Sequence, residues 1–346
     1  MPGAAQSLLH KVWGALLIRS VHRPLLSINS HSIMAYTAAI LVSEPTVIPH
    51  IRWLAVSSLF ATGIAALGTS AQGQDAKAIT AKQKETVIAN LKKADLPKAI
   101  FIETDNFLVV GVMPEEKVKA LGVVLEKVVP IARKGLHYEA KEEAWKGKLA
   151  VYHFPEGRDF KSFVRSVIMI KPEDVYYDVR SDTPLIIDPV VVSGKATDTE
   201  LFAATAVNVA AAYLKARGNT ANIPEWLRIG FGRATALRAD GLNSTRYQNY
   251  KKQAKAVAYG GKGIPPAEIA DLWAENKNAN VDVLASSVVE YMAYGPGAEN
   301  FIKLVYGFRP DENGNPVSVA QAFEAAGWKE IPTFEKAWQK WAMTGK

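Results

Sequence analysis

At 346 residues the chain is long for one domain, so one large domain or two smaller ones is the starting expectation, and 49% hydrophobic with 22% charged residues excludes a disordered chain. Of the formal charge of +7, residues 1–72 hold +3 (Lys11, Arg19, Arg23 and Arg52 against Glu44), and the remaining +4 is spread among alternating acids and bases, as in Lys82-Gln83-Lys84-Glu85; that is a solvated face and argues against a nucleic-acid partner. The absence of cysteine excludes disulfides, thiolate zinc sites, a cysteine nucleophile and a lipid-anchored cysteine.

Residues 53–68, WLAVSSLFATGIAALG, form an uncharged apolar run after His50 and Arg52. Thr69-Ser70-Ala71 follows with small residues suited to cleavage after Ala71, and Gln72-Gly73-Gln74-Asp75 turns polar. This layout predicts a secretory signal over 49–71. The alternative is an uncleaved anchor, against which the run is short of the roughly 20 residues a spanning helix needs. Residues 1–48 read as an N-terminal extension without helical or strand period, with translation expected from Met34 or from a start at Val47. The mature protein is then exported, to a bacterial periplasm or beyond, with no membrane span of its own.

Ala76–Asp95 predicts an amphipathic helix with Ile79, Val87, Ile88 and Leu91 on one side. AIFIE and FLVVGV, around Thr104-Asp105-Asn106, predict a hairpin. Pro114 opens a helix to about Lys134. A strand is expected over Lys148–Phe154, a helix over Arg158–Val167, and strands over Tyr176–Arg180 and Leu185–Val192. Two helices over 197–238 follow, the first capped by Thr197 or Asp198. Further helices are expected over Thr245–Ala258, Pro265–Ala274, Val281–Ala293, Pro296–Val305, Val317–Ala326 and Pro332–Met343. Phe334, Trp338 and Trp341 form a core-facing stripe. Tyr259-Gly260-Gly261-Lys262-Gly263 lacks the spacing of a phosphate cradle. The result is an α+β chain: a small mixed sheet within 99–196, then a mostly helical half over 197–346.

The stretch Thr197–Arg238, a buried helix, a polar turn, Ile223-Pro224-Glu225-Trp226-Leu227 and a second helix, resembles the active-site pair of gluzincin metallopeptidases, especially peptidase MA-like proteins. In that family the first helix carries H-E-x-x-H and the second W-L-x-E-G. The likeness in element order covers roughly Ala99–Met343 and implies a zincin-like fold over 76–346. Two imidazoles one helical turn apart would hold zinc, with the adjacent glutamate as base for its bound water. Here Val207-Asn208-Val209-Ala210-Ala211 occupies H-E-x-x-H, and Ile229 stands at the third ligand. No metal, cofactor or catalytic residue is therefore expected.

The mature chain keeps two histidines: His153, read as a packed or edge strand residue, and His137, read as solvated. No G-x-S-x-G elbow is present. Glu200 and Glu225 suit helix N-termini, Asp188 falls in a strand, and Arg228, Arg233 and Arg238 read as a solvated face able to meet an anion. The resemblance implies a non-catalytic binding or scaffold protein, with the strand over Pro184–Val192 taking an extended peptide or protein by main-chain pairing. Glu225, Arg228 and Val191 are its candidate binding residues. A hydrolase built on Glu225, Asp188 or the arginines, and a purely structural envelope protein, are the alternatives. The sequence is silent on oligomeric state.

Overall fold

The computed structural model describes residues 68–169, 171, 178–179, 190–193, 197–261, 265–274 and 280–345, with side chains described from Lys77 onward except in 178–179 and 190–193. The extension, most of the predicted signal, Asp188 and Lys262–Gly263 lie outside the described residues. The chain divides into two units, Met1–Thr62 and Gly63–Lys346, and the second is described below.

Helix α1 (Gly68–Lys93) starts earlier than predicted. Its inward stripe is Ile79, Gln83, Val87 and Leu91, one residue per turn. Ile88 sits about 100° round the helix from Val87 and is exposed rather than packed. Gln83 ties α1 to the start of a strand, donating to the Lys148 carbonyl at 2.7 Å and accepting from its N–H at 2.9 Å.

Strand β1 (Ile100–Glu103) pairs antiparallel with β2 (Phe107–Gly111), so the predicted hairpin forms. Helix α2 (Glu115–Gly135) follows, with acids in its first turn, bases in its last, and Val118, Leu121, Leu125, Val128 and Ala132 buried. Strand β3 (Leu149–Phe154) runs parallel to β2. Helix α3 (Gly157–Phe163) widens into a π-turn over Val164–Ile168, closed by the left-handed Met169. Strands β4 (Asp178–Val179) and β5 (Val190–Ser193) complete a mixed sheet in the order β1-β2-β3-β5-β4.

The sheet is covered on both faces. Phe107, Val109, Leu149 and Val151 belong to the large core with α2 and the later helices, while Leu108, Val110, Tyr152 and Phe154 pack with α1 and α3 in a smaller one. Period-two alternation with both sides apolar explains why every residue of β2 is buried.

The helical half consists of α4 (Asp198–Gly218), α5 (Glu225–Ala239), α6 (Thr245–Tyr259), α7 (Val281–Tyr294), α8 (Ala298–Gly307), α9 (Val319–Ala325) and α10 (Ile331–Thr344). The helix predicted over Pro265–Ala274 is only a 3₁₀ turn, Ile269–Leu272. Pro266 disfavours the α conformation at Pro265 before it, and the helical turn begins only after the Glu268 cap. The aromatic stripe of α10 is buried as expected.

Thr197 caps α4 through a reciprocal box, in which Glu200 N–H donates to Thr197 Oγ1 and Thr197 N–H donates to Glu200 Oε2 at 2.9 Å. Thr197→Ala is expected to lower stability by about 1 kcal/mol, read from the denaturant midpoint. An unchanged midpoint would show that the box adds nothing.

Candidate functional site

Helix α4 is apolar nearly all round, with every residue from Asn208 to Leu214 buried, because it lies between the sheet side of the core and α5. Two close approaches fix how α4 and α5 align. A Cβ added at Gly218 would meet Ile223 Cδ1 at 3.0 Å, and one at Gly232 would meet the Val207 carbonyl oxygen at 2.5 Å. The helices therefore run antiparallel, and Ile229, one turn before Gly232, falls level with Ala211. Of the three positions that carry metal ligands in the gluzincin pattern, the first thus lies opposite Gly232, one turn along α4 from the level at which the other two meet. The three bear Val207, Ala211 and Ile229, none with a donor atom for a metal. Ala211 is fully buried and Asn208, at the base position, nearly so. Among the described residues no group of three or more histidine, aspartate or glutamate side chains is placed to hold a metal ion.

The other face of α5 meets α7 just as closely. A Cβ at Gly230 would lie 2.6 Å from the Ala285 carbonyl oxygen. In the turn before these contacts Trp226 and Leu227 are buried, with the Trp226 ring 6.3 Å from Trp273 and 6.5 Å from Phe323.

The candidate binding residues separate into two places. Glu225 and Arg228 meet in the first turn of α5 as a two-pronged ion pair, at 2.6 and 2.7 Å. Val191 lies in β5, which is interior: it pairs with Tyr152 of β3 on one side and with Val179 of β4 on the other. The edge-strand expectation at Val191 is thereby corrected, since main-chain groups in a two-sided ladder have no room for a peptide. Among the described residues the sheet edges are β1 and β4. The parallel partner β3 lies far back in the chain, beyond the reach of local pattern reading. Glu200 serves the α4 cap.

The arginines of α5 are the second correction. Arg233 bonds Asp282 at 2.9 Å and Arg238 bonds Glu290 at 2.8 Å, so they join α5 to α7 rather than forming a free solvated face. Glu290 is fully buried. Its carboxylate also accepts from Tyr247 Oη at 2.5 Å, Tyr250 Oη at 3.1 Å and Lys251 Nζ at 3.4 Å. Burial first, then the neighbouring carboxylate, holds both phenols above the ordinary tyrosine range, so they stay protonated donors. Arg238 lies 4.8 Å from the ring centre of Tyr294, whose hydroxyl is 2.6 Å from Thr235 Oγ1. Lys251 stands 4.0 Å over Trp341. Sequence reading missed this centre, although a lone glutamate in VVEYMAY, an otherwise apolar helical run, was its signal.

His153 is fully buried on β3, with Nδ1 3.0 Å from Thr205 Oγ1 on α4 and its ring 5.5 Å from Phe202. His137 is exposed in a left-handed turn, its carbonyl accepting from Arg217.

Taken together, these elements define an α+β protein, mostly helical, with a small sheet, and no helix among the described residues is long and apolar enough to cross a membrane. No family model and no curated protein matches the chain.

Proposed function

We propose that the chain is a non-catalytic zincin-like protein, exported, in which a peptidase MA-like helix pair is kept as a binding scaffold. The observation that carries this reading is the alignment of α4 with α5. The antiparallel register brings Ile229 to about the level of Ala211, with Val207 one turn further along α4, and the side chain at each of these positions is a hydrocarbon. Hydrocarbon at these positions favours burial and removes both the metal and the activated water. A partner of extended conformation is then taken at a sheet edge, and of the two edges among the described residues it is assigned to β4, the neighbour of β5.

Two measurements test the reading. The purified wild-type protein is expected to hold no stoichiometric metal and to show no chelator-sensitive peptidase activity; finding both would overturn the proposal. Restoring the pattern with Val207→His, Ala211→His and Ile229→Glu together is expected to create a zinc site with a Kd below about 1 µM, roughly −8 kcal/mol. Absence of zinc binding by a folded triple variant would remove the register on which the reading depends. For the partner, binding in a peptide-array screen is expected to disappear on Val179→Pro, which removes an N–H from the edge strand.

A further inference from the structure

The His153 hydrogen bond fixes more than a contact. Thr205 Oγ1 donates its proton to the Leu201 carbonyl at 2.8 Å, so toward His153 it acts as acceptor and the Nδ1 atom carries the ring proton. The Nε2 lone pair is then bare, buried and, among the described residues, without a hydrogen-bond partner. The ring sits on the face of β3 that meets α4, and its neighbours there are Thr205 and the Phe202 edge.

We propose that His153 is an acid-sensitive joint between the sheet and helix α4: as a neutral imidazole it fastens β3 to α4, and a proton added at Nε2 forces the two apart. The added proton would place a cation and a new N–H donor in an apolar site with no acceptor among the described residues.

The charged groups around the joint do little to offset this. From α4, Asp198 favours the imidazolium, but its carboxylate is paired at 2.6 Å with Lys117 of α2. Glu200 is held in the capping box. From the sheet, Val192 of β5 stands opposite His153, and Asp178 of β4 stands opposite Val192 in register. Burial, opposed weakly by Asp198, brings the imidazole down to about 4 from an ordinary 6.5.

The sign of the effect follows from which state binds the proton. Between pH 6.5 and 4 the unfolded or opened chain is protonated at this residue and the closed form is not. Stability at the joint is therefore complete above pH 6.5, falls as the pH drops toward 4, and levels off below that. The gap corresponds to roughly a 10²- to 10³-fold rise in the opening constant across that interval.

The test uses the full chain. Histidine-ring nitrogen NMR, assigned by the signal lost in His153→Asn, is expected to show the Nδ1–H tautomer and a ring that stays neutral until about pH 4. The asparagine keeps an N–H toward Thr205 without the titration. In hydrogen exchange, amides of β3 and α4 are expected to open about 10²- to 10³-fold more at pH 4 than at pH 6.5 after correction for intrinsic exchange, and His153→Asn is expected to abolish most of that dependence. A ring that titrates near 6.5, an Nε2–H tautomer, or an acid response unchanged in the variant would overturn the proposal. If the variant does not fold, the wild-type ring titration alone decides.

Discussion

Replacing Glu290 by alanine is expected to destabilise the protein by about 3–5 kcal/mol, the cost of breaking a buried ion pair from one side. The loss arises from what remains rather than from what is removed. Arg238 and Lys251, each with a side chain only 21% exposed, keep their charges beside the vacated site. Tyr247 and Tyr250 keep buried hydroxyls that lose their acceptor. These donors come from α5 and α6 while the carboxylate comes from α7, so three helices converge on one side chain. Glu290→Gln is expected to fall between wild type and alanine, since an amide oxygen accepts a hydrogen bond but does not balance a cation. In an Arg238→Leu background the same alanine change is expected to cost at least about 1 kcal/mol less, because one unpaired charge is already gone. Denaturant midpoints of the four variants check all of this. A loss below about 1 kcal/mol for Glu290→Ala would mean that Arg238 and Lys251 reach water without cost.

The second large effect is expected at Gly232. Alanine there gains about 1 kcal/mol of helix propensity, yet its Cβ would lie 2.5 Å from the Val207 carbonyl oxygen, a backbone atom unable to swing aside. Overpacking of this kind costs about 1–3 kcal/mol and occasionally more. With so short an approach to a backbone atom the cost falls at the top of that range, and Gly232→Ala is expected to be destabilising overall, by about 2 kcal/mol. Relief by moving α5 away from α4 is blocked, because Gly230 already holds α5 against the Ala285 carbonyl. The double variant Gly230→Ala/Gly232→Ala should therefore lose more than the two single losses added. Gly157→Ala, also helical but meeting nothing within 4 Å, is the matched control and should leave the thermal midpoint unchanged or raise it slightly. A neutral Gly232→Ala would show that α4 and α5 separate freely, and the helix-pair register would lose its anchor.

Much of the chain's secondary structure was legible because its signals are local. Pro114 and the acids after it, the Thr197/Glu200 box and the short apolar run FLVVG are each read from neighbouring residues alone. The elements that reading placed wrongly depend on distant partners. Val191 was read as an open edge because nothing near it in the chain reveals β3 and β4 on its two flanks. Arg233 and Arg238 were read as solvated because Asp282 and Glu290 lie some fifty residues on. Gly230 and Gly232 were legible as a motif fragment, but their use as two contact faces of one helix needed α4 and α7 in place. The hydrocarbon at Val207, Ala211 and Ile229 was plain from the sequence alone. The placing of Ile229 near the level of Ala211, a turn from Val207, came from the Gly218 and Gly232 contacts.

Among the described residues β1 is an outer strand of the sheet, which bears on whether copies of the chain can pair along it. Ile100, Phe101 and Ile102 form a short hydrophobic ribbon whose backbone has β2 on one flank, the kind of surface on which identical chains can stack. The ribbon ends at Glu103, flanked by Lys84 and by Lys148 at 2.8 Å. Hydrogen bonds from Lys148 and then Lys84 hold the Glu103 carboxyl below its ordinary range, so this strand end stays charged as the medium acidifies. Colloidal behaviour in acid is thereby guarded at β1 by one carboxylate and two ammonium groups, which a stacking neighbour would have to strip of water before it could extend the sheet.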